Sequence, residues 1–568
     1  MKFYKDHYDV VIIGGALAGM SACLQLQAWG IKDILILEKH NMPGGLATDF
    51  VRNGFEIEAT LHEMMSIGRP GKRLKVGQFF EDMGVDVDWL PVNECYRVAL
   101  PNSGIDKILH HDYDSSYTTV AKEIDEVCPG TYDKVHELML LCRRVYDSMN
   151  VLSVTPMSKV QMLLKHPDFV KTVGYSATEV INTFDLPKKA VEMLTPYWIY
   201  VGNRMDDLPF TIYAFLMADY FTGSYVCRGF SHEMSMKLQA KCEEQGAQYE
   251  FNQEVEKILV RDGKVYGVRT ARGDEIHCDY VISGPYPNRV YSQMIEPLTE
   301  VPAGAVRMIN NRKLSVTPVS VIMLIEGTPE ENGIINYSTF SGTTMDTNKI
   351  WENYSNITEP YNYITTICLN YANPTLPEGY TQLSITALVP SKPFEDIKEE
   401  DYFDLKRRLA SEMIDECIKI TKVDFRKRIT EIEVTTPMTV AHYVGAWKGN
   451  IYGYLHSMED HAVARLQMKE KDHFIEGLEF AGAHGMSGDG MGPQITNGRA
   501  AAKAVREDLE KKKEAAKKLA SKSEDFCRTS VEPPASPNSE KKSSRRALHL
   551  SIRGTRSVSW RTSCIRST

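Results

Sequence analysis

Apolar and polar positions fall into blocks along this chain, and the first block defines a recognisable unit. Residues 8–13, Tyr-Asp-Val-Val-Ile-Ile, form the short apolar run that suits a buried parallel strand. A turn follows at 14–19, and residues 20–29 have helical composition ending at Gly30. Ile-Leu-Ile-Leu at 34–37 reads as a second buried strand, which closes a βαβ unit of about 30 residues. From roughly 118 to 220 the pattern predicts mostly helix. Val120, Ile124, Val135, Leu138, Leu141 and Val145 lie at helical spacings, and 196–221 is dense in aromatics. Strand signals return at 253–260 and 264–268, with Asp262-Gly263 between them as a hairpin turn. Further strands are expected at 279–283, about 314–326 and 361–389, and a helix near 403–420.

Beyond Glu510 the apolar periodicity stops and Lys, then Ser, Pro and Arg, take over, so 511–568 is expected to be a disordered basic tail. From residue 511 on there are 15 Lys or Arg against 5 Asp or Glu, which leaves 51 against 70 in the body. The net charge of −9 therefore hides an acidic body, which argues against a nucleic-acid partner. A chain of 568 residues is long enough for two domains. Its 11 cysteines are scattered and form no CxxC pair, and the histidines show no ligand spacing. Reduced thiols and no metal are the expectation. The apolar stretch at 10–26 reads as strand, turn and helix rather than as a secretion signal. No run approaches the ~20 apolar residues that span a bilayer. The expected setting is cytoplasmic, with peripheral contact to a membrane surface left open and oligomeric state unknown.

The turn in the first unit carries chemistry. Gly14, Gly15, Ala16, Leu17, Ala18 and Gly19 stand where a GxGxxG stands, after a strand and opening a helix. Backbone N–H groups and the helix dipole hold a pyrophosphate at such a place. Gly14 makes the tight turn, and Gly19 lets helix and strand pack closely. Glu38 ends the second strand, about 20 residues on, where it can accept hydrogen bonds from a ribose. The middle glycine is replaced by Ala16, whose methyl is expected to shift the pyrophosphate slightly or to weaken its binding.

Three further blocks give the turn its context. Glu38-Lys39 leads into Met-Pro-Gly-Gly-Leu-Ala at 42–47 and Gly-Phe-Glu-Ile-Glu at 54–58. Near the far end stand Gly-Leu-Glu-Phe-Ala-Gly-Ala at 477–483, Gly-Asp-Gly-Met-Gly-Pro at 488–493 and Gly-Arg-Ala-Ala at 498–501. In this order the blocks resemble the FAD-dependent phytoene desaturase, carotenoid isomerase and retinol saturase superfamily, and more distantly the flavin amine oxidases. The resemblance covers roughly 8–300 and 430–510.

It implies an α/β fold: a Rossmann-type, discontinuous FAD-binding domain (1–100, 225–300 and 430–510) with an inserted α+β substrate domain (101–224 and 301–429). FAD is the implied cofactor. Its contacts, besides residues 14–19 and Glu38, would be Lys39, Gly45, Leu46, Ala47, Val255, Gly482, Asp489, Gly490, Met491 and Gly492. The loop at 488–492 and the helix after it would lie against the flavin ring, where a helix N-terminus stabilises the anionic reduced form by about 1 kcal/mol. Leu46 and Thr60 depart from the pattern, standing where arginine and glycine are usual.

Glu58, His62 and Glu63 are the implied acid–base candidates near the flavin, with His484 behind them, and Tyr443 and Trp447 as ring neighbours. No second GxGxxG occurs, so no separate nicotinamide domain is expected. The implied activity is desaturation, saturation or isomerisation of carbon–carbon bonds in a hydrophobic polyene, isoprenoid or lipid. A flavin amine oxidase is the alternative enzyme, and a non-catalytic flavin-binding protein the alternative of another class.

Overall fold

Two sheets organise the chain, and each grows from a different sequence pattern. The computed structural model describes residues 4–529 except 61–62, 154, 156, 462–464, 466–472, 486 and 489, and for 519–529 only the backbone. The apolar runs build the first sheet. Gln248–Glu250, Ile34–Leu37, His7–Ile13 and Glu275–Ser283 lie side by side in parallel. All four residues of Ile34–Leu37 are buried, as a strand covered on both faces requires. The Val255–Arg261 and Lys264–Thr270 strands extend the sheet as the expected hairpin, with Asp262 and Gly263 both at positive φ in its turn. Leu478–Phe480 joins last in sequence, pairing in parallel with the C-terminal half of Glu275–Ser283. That pairing brings the far end of the chain beside its beginning.

The second sheet has seven strands, in the order Ile429–Thr435, Val316–Glu326, Tyr380–Pro390, Tyr363–Cys368, Ser338–Gly342, Glu94–Leu100 and Ile105–His110. Helices Thr118–Val127, Tyr132–Leu152 and Phe210–Tyr220 share its core, with Trp198, Tyr197 and Tyr213 fully buried there. Burying a side chain of this size contributes about 2 kcal/mol.

The structure adds detail to the expected layout in three places. The helical region from 118 on opens with two helices, separated at Pro129-Gly130, where Asp125 accepts from the N–H groups of Gly130, Thr131 and Tyr132. Glu94–Leu100, within the segment 1–100, pairs with Ser338–Gly342 in the second sheet. The tail is not irregular from 511 on. Helix Met491–Thr529 runs through its first part, where Lys, Glu and Ala have high helix propensity. Two compact units are separated at Leu509, and 530–568 lie outside the described residues.

Candidate active site

The N-terminal half of the site is built where the first strand ends. Helix Leu17–Ala28 follows Ala16, its N-cap, with no side-chain cap and no acidic residue in its first turn. Its positive end is therefore open to an outside anion. Gly19 is sterically required, since a Cβ there would lie 2.1 Å from the carbonyl oxygen of Gly14. The Glu38 carboxylate accepts from the N–H of Gly15 at 2.7 Å and of His40 at 2.8 Å. The Tyr249 hydroxyl donates to the Gly15 carbonyl at 3.0 Å, a support that no sequence motif announced. Ala16 is in extended backbone, which any residue adopts, and its methyl lies against Gly45. A side chain on Gly45 would crowd that methyl to 3.0 Å. The two departures at 46 and 60 meet each other, for the Thr60 hydroxyl donates to the Leu46 carbonyl at 2.6 Å.

The C-terminal half arrives through strand Leu478–Phe480, whose continuation bonds Ala481 N–H to the Ser283 carbonyl. Asn497 then organises the glycine loop. Its amide donates to the carbonyls of Gly482 (2.8 Å) and Gly488 (3.1 Å) and accepts from Ser487 N–H (2.9 Å). Helices Leu17–Ala28 and Met491–Thr529 cross where Gly498 meets Ala18 and Ser21, and the Ser21 hydroxyl donates to the Ile495 carbonyl. Both helix N-termini open on one cavity.

That cavity has a volume of about 1290 Å³, above the ~300–1,000 Å³ usual for a single ligand. Fifteen of the expected contacts line it: Gly14, Ala16, Leu17, Ala18, Gly19, Glu38, Lys39, Gly45, Leu46, Ala47, Val255, Gly482, Gly490, Met491 and Gly492. Gly15 lies behind the wall, with its N–H on Glu38, and Asp489 lies outside the described residues. Away from the turn, the wall is made by Met64, Tyr200, Ile212, Phe215, Leu216 and Tyr220. Only part of the aromatic stretch therefore serves the cavity, and the rest is core.

The acid–base candidates separate clearly. Glu63 lines the cavity, and burial pushes its carboxyl up to about 8 despite a 2.6 Å hydrogen bond from Ser224. Glu58 is not brought there. It accepts from the backbone N–H and hydroxyl of Ser231 at the start of helix Phe230–Glu244, a structural task. His62 lies outside the described residues. His484 is buried against Tyr286 and Phe480, away from the lining, and desolvation lowers it to about 3. Tyr443 lines the mouth, and Trp447 is not among the lining residues. Asp49, unsuspected in the sequence, also lines the cavity, pushed up to about 8 by burial and by Glu56.

The donor set fits a flavin dinucleotide: an uncapped helix end for pyrophosphate, Glu38 for ribose, and a second helix N-terminus on the same cavity for the ring. Bound there, FAD supplies hydride transfer to or from carbon. Fold and site together define an FAD-binding oxidoreductase. The family model for flavin containing amine oxidoreductases matches residues 17–506, and the chain belongs to that family. It is similar to all-trans-retinol 13,14-reductase of Danio rerio, 22% identical over 519 residues that cover 84% of each chain. Chloroplastic prolycopene isomerase of Daucus carota is 22% identical over 459 residues, covering 78% of this chain and 72% of that one. Among solved structures, an oxidoreductase from Methanosarcina mazei superposes with a TM-score of 0.56 at 13% identity, covering 88% of this chain and all of its own.

Proposed function

We propose that this FAD enzyme alters carbon–carbon bonds of a long apolar polyene, by saturation, desaturation or isomerisation. The observation that carries the reading is the cavity: it runs on from the dinucleotide turn to a wall of apolar and aromatic side chains, with room beyond one ligand. The names of the relatives support it, since one is a retinol reductase and another a carotenoid isomerase. We also propose that the mouth faces a lipid surface. Val51, Phe403, Met438 and Tyr443 line it while 39–63% exposed, an apolar cluster that a soluble surface seldom displays.

Purified protein tests the reading. A yellow preparation whose photoreduced flavin is reoxidised by an added retinoid or carotenoid, with altered polyene absorption, is expected. Peroxide release on an amine panel with the polyene unchanged would assign the cavity to amines instead.

A further inference from the structure

A chain of buried polar side chains ends on the cavity wall, and neither the fold nor dinucleotide binding uses it. Glu63 and Tyr200 are its cavity end. The Ser224 hydroxyl donates to Glu63 Oε2 at 2.6 Å and lies 3.4 Å from His111 Nε2, and His111 Nδ1 lies 3.0 Å from Cys95 Sγ. All five residues are at least nine-tenths buried. Beyond each other, Glu63 Oε1 and the Tyr200 hydroxyl have no hydrogen-bond partner among the described residues. A carboxyl oxygen and a hydroxyl that have only each other at a cavity wall point to a reacting ligand.

The hydrogen-bond partners bear on where the protons sit. Ser224 gives its single hydrogen to Oε2, so the proton of a neutral Glu63 carboxyl rests on Oε1. The Ser224 hydroxyl faces His111 Nε2 and the Cys95 thiol faces Nδ1, while the backbone carbonyls of Tyr220 and Glu94 also take hydrogen bonds from the imidazole. Glu94, Cys95, Tyr197, Tyr200 and Tyr337 are the other ionisable groups that act on this position. Burial holds Glu63 protonated up to about 8 and lowers His111 to about 4, so the chain is neutral at pH 7.

We propose that Glu63 is the catalytic acid that protonates a carbon of the polyene, with Ser224 and His111 as positioning residues behind it. The role rests on the polyene reading above and narrows it to saturation, or to isomerisation begun by protonation. In saturation one carbon of the double bond receives hydride, with its electron pair, from reduced flavin. The π pair of that bond takes the Glu63 proton at the other carbon, and the O–H pair stays behind as carboxylate. In isomerisation the same proton adds to the polyene, a bond of the delocalised cation rotates, and the carboxylate takes the proton back, with no net redox change.

Two measurements on the full chain decide it. In the infrared difference between wild type and Glu63→Gln, the carbonyl band of a protonated carboxylic acid is expected at pH 7, disappearing as pH rises through about 8. Asp49, also raised to about 8, cancels in that difference. In deuterated buffer, wild type is expected to place one non-exchangeable deuterium in the product for each double bond saturated. Glu63→Gln should convert the polyene about 100-fold more slowly or worse while keeping its flavin absorbance. Ser224→Ala should keep flavin and fold, slow turnover and shift the infrared band, which guards against a misfolded Gln variant. Absence of the band at pH 7, or unchanged turnover in Glu63→Gln, overturns the role of Glu63 alone. If wild type converts no polyene at all, the reading of the cavity fails and this role fails with it.

Discussion

Asn497 and Glu63 show how unequally single residues announce themselves. Asn497 makes three hydrogen bonds that shape the glycine loop, two buried and one partly buried. Asn497→Ala takes the partner from the Gly488 carbonyl and the Ser487 N–H and leaves the Gly482 carbonyl to Gly485 alone, so it should cost about 2 kcal/mol, lower the melting temperature and release flavin. Unchanged melting and flavin content would remove Asn497 from the site. Nothing in its sequence setting marks it, because one asparagine among glycines looks like any loop residue. Glu58 and Glu63 looked equivalent in the sequence, five positions apart behind one strand. Burial depth and partners separate them: one accepts from Ser231, the other faces the cavity.

The raised Glu63 also sets a pH dependence. The folded protein keeps this proton to about 8, whereas an unfolded chain releases it near the ordinary carboxyl value of 4.5. Between those values the native state binds more protons, so stability falls as pH rises, by at most about 1.4 kcal/mol per pH unit from this group. Glu63→Gln should flatten that slope in denaturant titrations across pH 5–8. An identical slope in the variant would show that Glu63 ionises normally.

Among the elements, those with an unambiguous period were legible. The apolar runs at 8–13 and 34–37, the Asp262-Gly263 hairpin and helix Glu399–Thr421 form close to where the pattern puts them. What the pattern could not give was partnership. Glu94–Leu100 drew no strand expectation, and its register with Ser338–Gly342 puts it in the second sheet. The break after Val127 depends on Pro129-Gly130 and the Asp125 carboxylate acting together. The helix through 511–529 was hidden because helix propensity without an apolar face resembles a solvated tail. The crossing of the first and last helices of the body at Gly498 was equally silent. A Cβ there would lie 2.1 Å from the Ala18 carbonyl oxygen, so Gly498→Val should force the helices apart and abolish flavin retention. Retained flavin in that variant would mean that the crossing is not needed.

For the whole molecule, charge and exposed apolar surface make different demands. The body up to 510 carries 51 cationic against 70 anionic residues, so it gains nothing from an anionic lipid surface. The proposed lipid contact at the mouth would then come from Val51, Phe403, Met438 and Tyr443. Binding to zwitterionic vesicles should persist at high salt, and the Phe403→Ser/Tyr443→Ser pair should weaken it several-fold with flavin content unchanged. Vesicle flotation reads both outcomes, and binding indifferent to that pair would place the contact elsewhere.

The central claim is that an FAD enzyme here works on the double bonds of a polyene, and one anaerobic experiment meets it directly. The purified chain is loaded with FAD, photoreduced and mixed with a retinoid or carotenoid while flavin and polyene absorption are recorded together. The account predicts a shift in the polyene spectrum that depends on reduced flavin. The shift comes with one flavin reoxidised for each double bond saturated, or with no net reoxidation for isomerisation. A protein that takes up no FAD, or one whose reduced flavin leaves every polyene unchanged, would contradict it.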